Sequence, residues 1–292
     1  MIHINIVRNR KIFYVISGLL VGLAFLSLGL RGLRLGPDFT GDAVFEIEYK
    51  NSAQKDVIEK AWDGSGLGGA EINQKSDRRF VLRTRYLSQD EHEKALGTLR
   101  QTGDLEEKSF SATGPSVGRQ LRRNALLAVI FSLMAIIVYI AFAFRKVSRP
   151  ISSWIYGVIA IVALLHDIII PMGLFSFLRF EIDALFISAL LTLLGFSVHD
   201  TIVVFDRVRE NLRRDSHGHF DEIVEKSLHE TIGRSINTSL STLFALVAVF
   251  VFGGASTQHL ALALISGIIV GTYSSIFIAS TLLVSVARFR EK

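Results

Sequence analysis

The chain has 292 residues, 50% of them hydrophobic, a mean hydropathy of +0.41 and a formal net charge of +5. That balance is far from the soluble norm and describes a membrane protein with room for two domains or one large one. Cysteine is absent, which excludes disulfides, thiol chemistry and cysteine-ligated metals. The basic residues gather at the ends of apolar runs, a pattern of membrane topology rather than of nucleic-acid binding.

Arg8, Arg10 and Lys11 stand ahead of the apolar run Ile12 to Leu30. At about 19 residues this run can cross a hydrocarbon core about 30 Å thick, and no small-residue cleavage site follows it, so a retained helix is predicted rather than a signal peptide. Residues 1–30 are expected to hold a cytoplasmic amino terminus and the first transmembrane helix, and residues 31–120 an extracytoplasmic domain. There AVFEIEY alternates as a strand, AQKDVIEKAWD reads as a helix, GAEINQK and RFVLRTRY as strands, SQDEHEKALGTLRQ as a second helix and DLEEKSFSAT as a last strand. The order βαββαβ predicts a small ferredoxin-like α+β domain. Gly64, Gly66, Gly68 and Gly69 make a flexible turn, and GxxxxGK[ST] occurs nowhere in the chain, which argues against an ATPase.

Residues 121–292 carry five further apolar runs, at about Asn124–Phe144, Ile151–Phe177, Ala184–Phe205, Ser235–Gly254 and Leu260–Ala287. Six spanning helices place both termini on one side. Short cytoplasmic loops are enriched in Lys and Arg. Arg145, Lys146 and Arg149, then Arg207, Arg209, Arg213, Arg214 and Lys226 in a connector over residues 206–234, and finally Arg288, Arg290 and Lys292 mark the cytoplasmic side. Arg31, Arg34, Arg119, Arg122 and Arg123 fall on the other side, but flank a segment too long for the rule to bind. The expected fold is an α-helical membrane protein of six transmembrane helices, with the ferredoxin-like domain between the first and the second.

Ionisable residues inside membrane helices cost roughly 2.5–3.5 kcal/mol on insertion scales, so each raises a functional hypothesis. The third helix carries His166, Asp167 and Pro171. Proline withholds the N–H that the carbonyl of Asp167 would accept, and a bend or opening is expected there; Asp167 either joins a proton path or glues helices. The fourth helix sets Ser188, Thr192, Gly195 and His199 on one stripe with Asp200 beside it, and the fifth opens with Arg234, followed on one face by Thr238, Ser241 and Ala245. Asp200 and Arg234 are the expected ion pair. Making or breaking it would link protonation of the acid to helix arrangement. Gly267, Gly271, Ser275 and Ala279 recur every fourth residue on the sixth helix, a seam of small residues for close helix packing. The His-Asp dipeptides 166–167 and 199–200 lack the supporting cluster of a metal hydrolase, HExxH is absent, and no catalytic Ser-His-Asp set can be anchored; no enzyme, metal or cofactor is expected.

Five segments in order resemble the SecF family of protein-export membrane proteins: LRLGPDFTGDAVFEI, TGPSVGRQL, LLHDIIIPMGLFSF, VHDTIVVFDRVREN and GRSINTSLSTLFALVAVFVFGG. The resemblance implies half of an RND-type bundle, completed by SecD, in a bacterial cytoplasmic membrane. It implies use of the proton-motive force to aid preproteins leaving SecYEG, with YajC and YidC as associates. The family's membrane aspartate and arginine match Asp200 and Arg234. Two departures stand out: Asp42 replaces the second glycine of the commoner DFTGG, and His199 replaces the Asn that usually precedes the aspartate. The first bears on the local turn, the second on the pH response. Two other readings are a purely structural subunit of the translocon and a small-molecule RND exporter half, for which the external domain leaves little room.

Overall fold

A computed structural model describes residues 5–145, 151–215 and 218–290. Lys146, Arg149 and Lys292, counted above toward the loop charge, lie outside the described residues. The elements in order are α1 (Arg10–Arg31), β1 (Arg34–Leu35), α2 (Pro37–Thr40), β2 (Asp42–Tyr49), α3 (Lys55–Gly64), β3 (Ala70–Gln74), β4 (Arg79–Arg85), α4 (Gln89–Arg100) and β5 (Leu105–Ala112). After them come α5 (Pro115–Ala143), α6 (Ser153–Leu178), β6 (Glu181–Ile182), α7 (Ala184–Arg214), α8 (Phe220–Phe252) and α9 (Ala255–Tyr273). A π-helical segment, Ser274–Ala279, joins α9 to α10 (Ser280–Arg290). Six helices, α1, α5, α6, α7, α8 and the α9–α10 rod, are long and apolar enough to cross a membrane. The chain divides into two compact units, Leu35–Leu126 and the remainder.

The smaller unit has the βαββαβ order and an antiparallel sheet in the sequence β3-β4-β2-β5. Alternation in β2 sends Ala43, Phe45, Ile47 and Tyr49 inward, where Phe45 opposes Leu82 and Ile47 opposes Phe80 in register. Ile58 and Trp62 of α3 close the core from one face, the Trp62 indole donating to the carbonyl of Gly68 at 2.8 Å. The turn into β2 accepts its unusual acid. Gly41 takes the left-handed conformation (φ 84°) with the Cα of Pro115 only 2.5 Å from where a Cβ would stand, so glycine is required there. Asp42 needs no such freedom: it is the first residue of the strand and is bound by Arg83 at 2.8 Å and by the Thr40 hydroxyl at 2.7 Å.

Ser88 and Glu91 form a reciprocal capping box at the start of α4. Glu91 also receives both terminal nitrogens of Arg85, at 2.5 and 3.2 Å. The Arg85 hydrogen bonds and the backbone N–H of Ser88 hold the Glu91 carboxyl down at about 2. A carboxyl so depressed stabilises the fold fully above its unfolded value near 4.5, and the contribution fades as pH falls toward the folded value.

In the larger unit α1 packs along α6, α6 against α7 and α9, and α9 against α7 and α8. Small residues set these distances. The buried face of α1 is Ser17, Ala24 and Ser27. At Gly173 of α6 an added Cβ would fall against the Cβ of Ala24 and 2.5 Å from its Cα, and Ser27 donates to Ser176 at 3.1 Å nearby. Between α9 and α7 two ridges of fourfold spacing meet. Gly267 admits the side chain of Leu193, Gly271 lies over Ser197, and Ser275 bonds Thr201 at 2.9 Å. The predicted small-residue seam thus has a matching ridge on α7 that went unread.

The connector over residues 206–234, in which FDEIVEKSLHETI reads as an amphipathic helix, is mostly helical: α7 continues to Arg214 and α8 begins at Phe220 and runs on into the apolar helix behind it. One expectation changes. Helix α6 passes Pro171 without interruption. The break lies instead in the last rod, where the π-helical segment adds a residue to the turn. Near the termini of the chain, the Glu225 carboxylate accepts the backbone N–H groups of Ile6 and Val7 at 2.9 and 2.7 Å, and Ile6 and Val7 are buried against Val204, Val224 and Val284.

Two outcomes are expected. Gly173→Ala forces α1 off α6 and costs about 1–3 kcal/mol as overpacking does, read as a lower melting temperature of the detergent-purified protein, whereas Gly271→Ala, whose nearest neighbour would be 3.3 Å away, costs less. Glu91→Gln is expected to flatten the loss of stability of the smaller unit as pH falls from about 4.5 toward about 2, measured by near-ultraviolet circular dichroism of the full chain.

Candidate functional site

The centre of the helical unit is a polar junction built from three helices. Asp167 of α6 is 2% exposed and is met by three side chains: His166 Nδ1 lies 2.9 Å from Oδ1, and the hydroxyls of Ser197 (α7) and Ser274 (π segment) donate to Oδ2 at 2.5 and 2.7 Å. Two adjacent serines of the π segment, pointing about 100° apart as successive helical residues do, serve two different helices: Ser274 bonds Asp167 and Ser275 bonds Thr201. The Gly271 position, where a Cβ would stand 3.5 Å from Asp167 Oδ2, lets the rod come close enough for those bonds.

Asp200 is one turn along α7 from Ser197 and is 6% exposed. Its surroundings are the reverse of those of Asp167. Its Oδ2 is fully buried and faces the equally buried Ser235 hydroxyl of α8, which is close enough to interact with it but makes no well-formed hydrogen bond among the described residues. Asp167 and His199 are its charged or titratable neighbours. Burying an oxygen of this kind without a partner costs free energy, and the cost is greater when it carries charge.

The expected ion pair is not closed. Arg234 is exposed and makes no ion pair with Asp200 in this conformation; it lines a cleft of about 460 Å³ with Asp206, Arg207 and Glu230. That cleft is tied by Arg207, which reaches Glu210 and Glu230 at 2.6 Å each, and by Asn211, which donates to Glu230 at 2.8 Å and Ser227 at 3.0 Å. These bonds lock the extensions of α7 and α8 to each other, a structural use for charges read from the sequence as topology markers.

The stripe of Ser188, Thr192, Gly195 and His199 is exposed, as are Arg234, Thr238, Ser241 and Ala245 on α8. Ser188, Thr192 and Ser241 donate back to their own helix, which satisfies the hydroxyls. His199 and Arg234 have no such bond, and both stand on the outer surface of the bundle next to the buried acid. Sequence reading missed His166, Ser197, Thr201 and Ser274 as members of the junction. The spacing of Leu193, Ser197, Thr201 and Phe205, four apart like the seam they meet, was the available signal. Among the described residues no group of three or more His, Asp or Glu side chains converges as a metal site would require.

The two acids should separate in a stability assay. Asp167→Ala orphans the Ser197 hydroxyl and the His166 imidazole, leaving Ser274 only its bond to the Gly271 carbonyl, and is expected to cost about 2–4 kcal/mol, whereas Asp200→Asn replaces a poorly bonded oxygen and is expected to leave the melting temperature unchanged or raised.

Residues 93–288 match the family described as "Protein export membrane protein SecD/SecF, C-terminal". The chain is 43% identical to the protein translocase subunit SecF of Thermobaculum terrenum over 97% of its own length and 93% of that protein's, and 36% identical to that of Vibrio alginolyticus, with 99% and 91% covered. It also superimposes on the crystal structure of SecDF, a translocon-associated membrane protein from Thermus thermophilus, with a TM-score of 0.83 and 32% identity, covering 99% of this chain and 39% of that one. A second SecDF structure, in a super-membrane-facing form, gives 0.71 at 31% identity. With this architecture, and with full-length likeness at these identities, the chain belongs to the SecF family of protein-export membrane proteins.

Proposed function

We propose that this chain, joined to SecD, uses the proton-motive force to promote late steps of preprotein translocation through SecYEG, with the proton carried at Asp200. The observation that carries this reading is the buried Asp200 oxygen that faces Ser235 without a well-formed hydrogen bond, with Arg234 adjacent to Ser235 on α8. A buried carboxylate oxygen can be satisfied in two ways, by a proton or by a cation. Successive residues of an α-helix are about 100° apart, so a rotation of α8 through roughly that angle would exchange Ser235 for Arg234 at the acid. Proton loss would then be coupled to helix movement, because the ionised acid favours the arginine-facing state and the neutral acid does not require it. Each proton crossing supplies about 2.3 kcal/mol per 100 mV, the only energy source the reading needs.

SecD supplies the second half of the bundle. The SecDF relative is much longer than this chain, which covers 39% of it, and the outward His199 and Arg234 are polar groups that lipid would leave unpaired. In this reading both termini lie on the cytoplasmic side of a bacterial inner membrane, which the loop charges support, and YajC and YidC are further associates. Asp167, with its complete set of partners, positions α6, α7 and α9 around the carrier. His199 tunes the pH at which the carrier responds. A structural subunit without proton transport is the alternative.

In proteoliposomes holding this chain, its SecD partner and the SecYEG channel, Asp200→Asn and Arg234→Met are expected to abolish the stimulation of export by an imposed proton gradient, while the variants still co-purify with SecD. Export stimulated equally by the parent and the Asp200→Asn protein would leave only the structural role.

A further inference from the structure

The amino-terminal strap creates a cavity that the export reading does not use. Its volume is about 800 Å³, and its wall combines Arg8, Arg10 and Lys11 at the start of α1 with Lys226 on α8 and Arg288 on α10. The acids in the same wall are largely spoken for. Glu225 is engaged by two backbone N–H groups and by His229 at 3.1 Å, and Asp221 is paired with Arg288. Arg8, Arg10, Lys11 and Lys226 have no ion pair among the described residues, and Glu222 is the remaining acid. Cations collected around an open space, with their local acids committed elsewhere, call for an external anion.

A second feature identifies what kind of anion. The cavity takes Glu222, Glu225, Lys226 and His229 from one side of α8, and the same side continues by helical spacing through Ile232, Ile236, Leu240 and Leu243. Those residues, with Ile269 and Tyr273 of α9, line a separate apolar groove of about 290 Å³. The polar end lies where the apolar runs begin, at Lys11 before Ile12 and at Arg288 after Ala287. A charged pocket at the membrane boundary, followed along one helix by an apolar groove within the bilayer, has the dimensions and polarity of one molecule with an anionic head and a hydrocarbon chain.

We infer that this is a site for an anionic phospholipid of the leaflet on the side of the chain termini, the phosphate held by Arg8, Lys11 and Lys226 and an acyl chain lying along α8. The strap at Ile6 and Val7 supplies the second wall of the headgroup pocket, so lipid occupancy and docking of the strap support each other.

The test is native mass spectrometry of the full-length chain in detergent with added long-chain phosphatidylglycerol or phosphatidylcholine. The parent should retain phosphatidylglycerol in preference to phosphatidylcholine, and the Arg8→Gln, Lys226→Gln double variant should bind it at least about tenfold more weakly. Arg213→Gln, a charge outside the cavity, should retain it and controls for a general charge effect. Inorganic phosphate and short-chain dihexanoyl phosphatidylglycerol serve as competitors. Displacement only by long-chain lipid supports the phospholipid site, whereas displacement by phosphate alone assigns the pocket to a soluble anion and overturns the proposal. Equal retention of the neutral and anionic lipids, or no change in the double variant, also overturns it. If the double variant elutes as aggregate, Lys226→Gln alone, an exposed position, decides the same question.

Discussion

The helical unit is organised by the bonds made to one carboxylate. Asp167 receives donors from its own helix, from α7 and from the π segment, and so fixes the spacing and rotation of three helices at once. A charged or polar group in an apolar bundle is costly unless its bonding capacity is filled. Ser274 reaches α6 while Ser275 reaches α7, as adjacent residues about 100° apart on a helix can do, and both lie in the π segment. The glycines at 267 and 271 then follow as the residues that let the rod approach.

Beside Asp167, both of whose oxygens are bonded, the neighbouring acid is held less completely. Asp200 and Ser235 face each other without a well-formed hydrogen bond, one turn from the junction. Stable proteins fill buried polar groups, and departures from that rule collect where a protein does work. The contrast between the two carboxylates is therefore more informative than the burial of either. It separates the group that holds the helices together from the group that is available to change its state.

Much of this was legible in the sequence because membranes impose simple rules. The six apolar runs, the βαββαβ order and the four-residue seam of α9 each follow from a single periodicity, and each has its counterpart in the structure. What could not be read were partnerships. Asp200 and Arg234 are plausible partners by charge and by depth, yet choosing between Arg234 and Ser235 depends on the rotation of α8, which is about 100° per residue and is set by packing against α9. Asp167 showed no partner in sequence because its donors lie 30 and 107 positions away. Pro171 looked decisive and was not, since the helix absorbs it, while the break at Ser274–Ala279 has no proline or special residue to announce it.

The attachment of Ile6 and Val7 to Glu225 spans more than two hundred positions of the chain. During synthesis the first helix must therefore enter the bilayer with its leading end unattached, and that end waits until most of the remaining chain has been made before its acceptor exists. Closure of the strap is among the last events of assembly. A chain interrupted before α8 leaves two backbone donors and a pair of apolar side chains at its origin without the partners they have in the finished bundle.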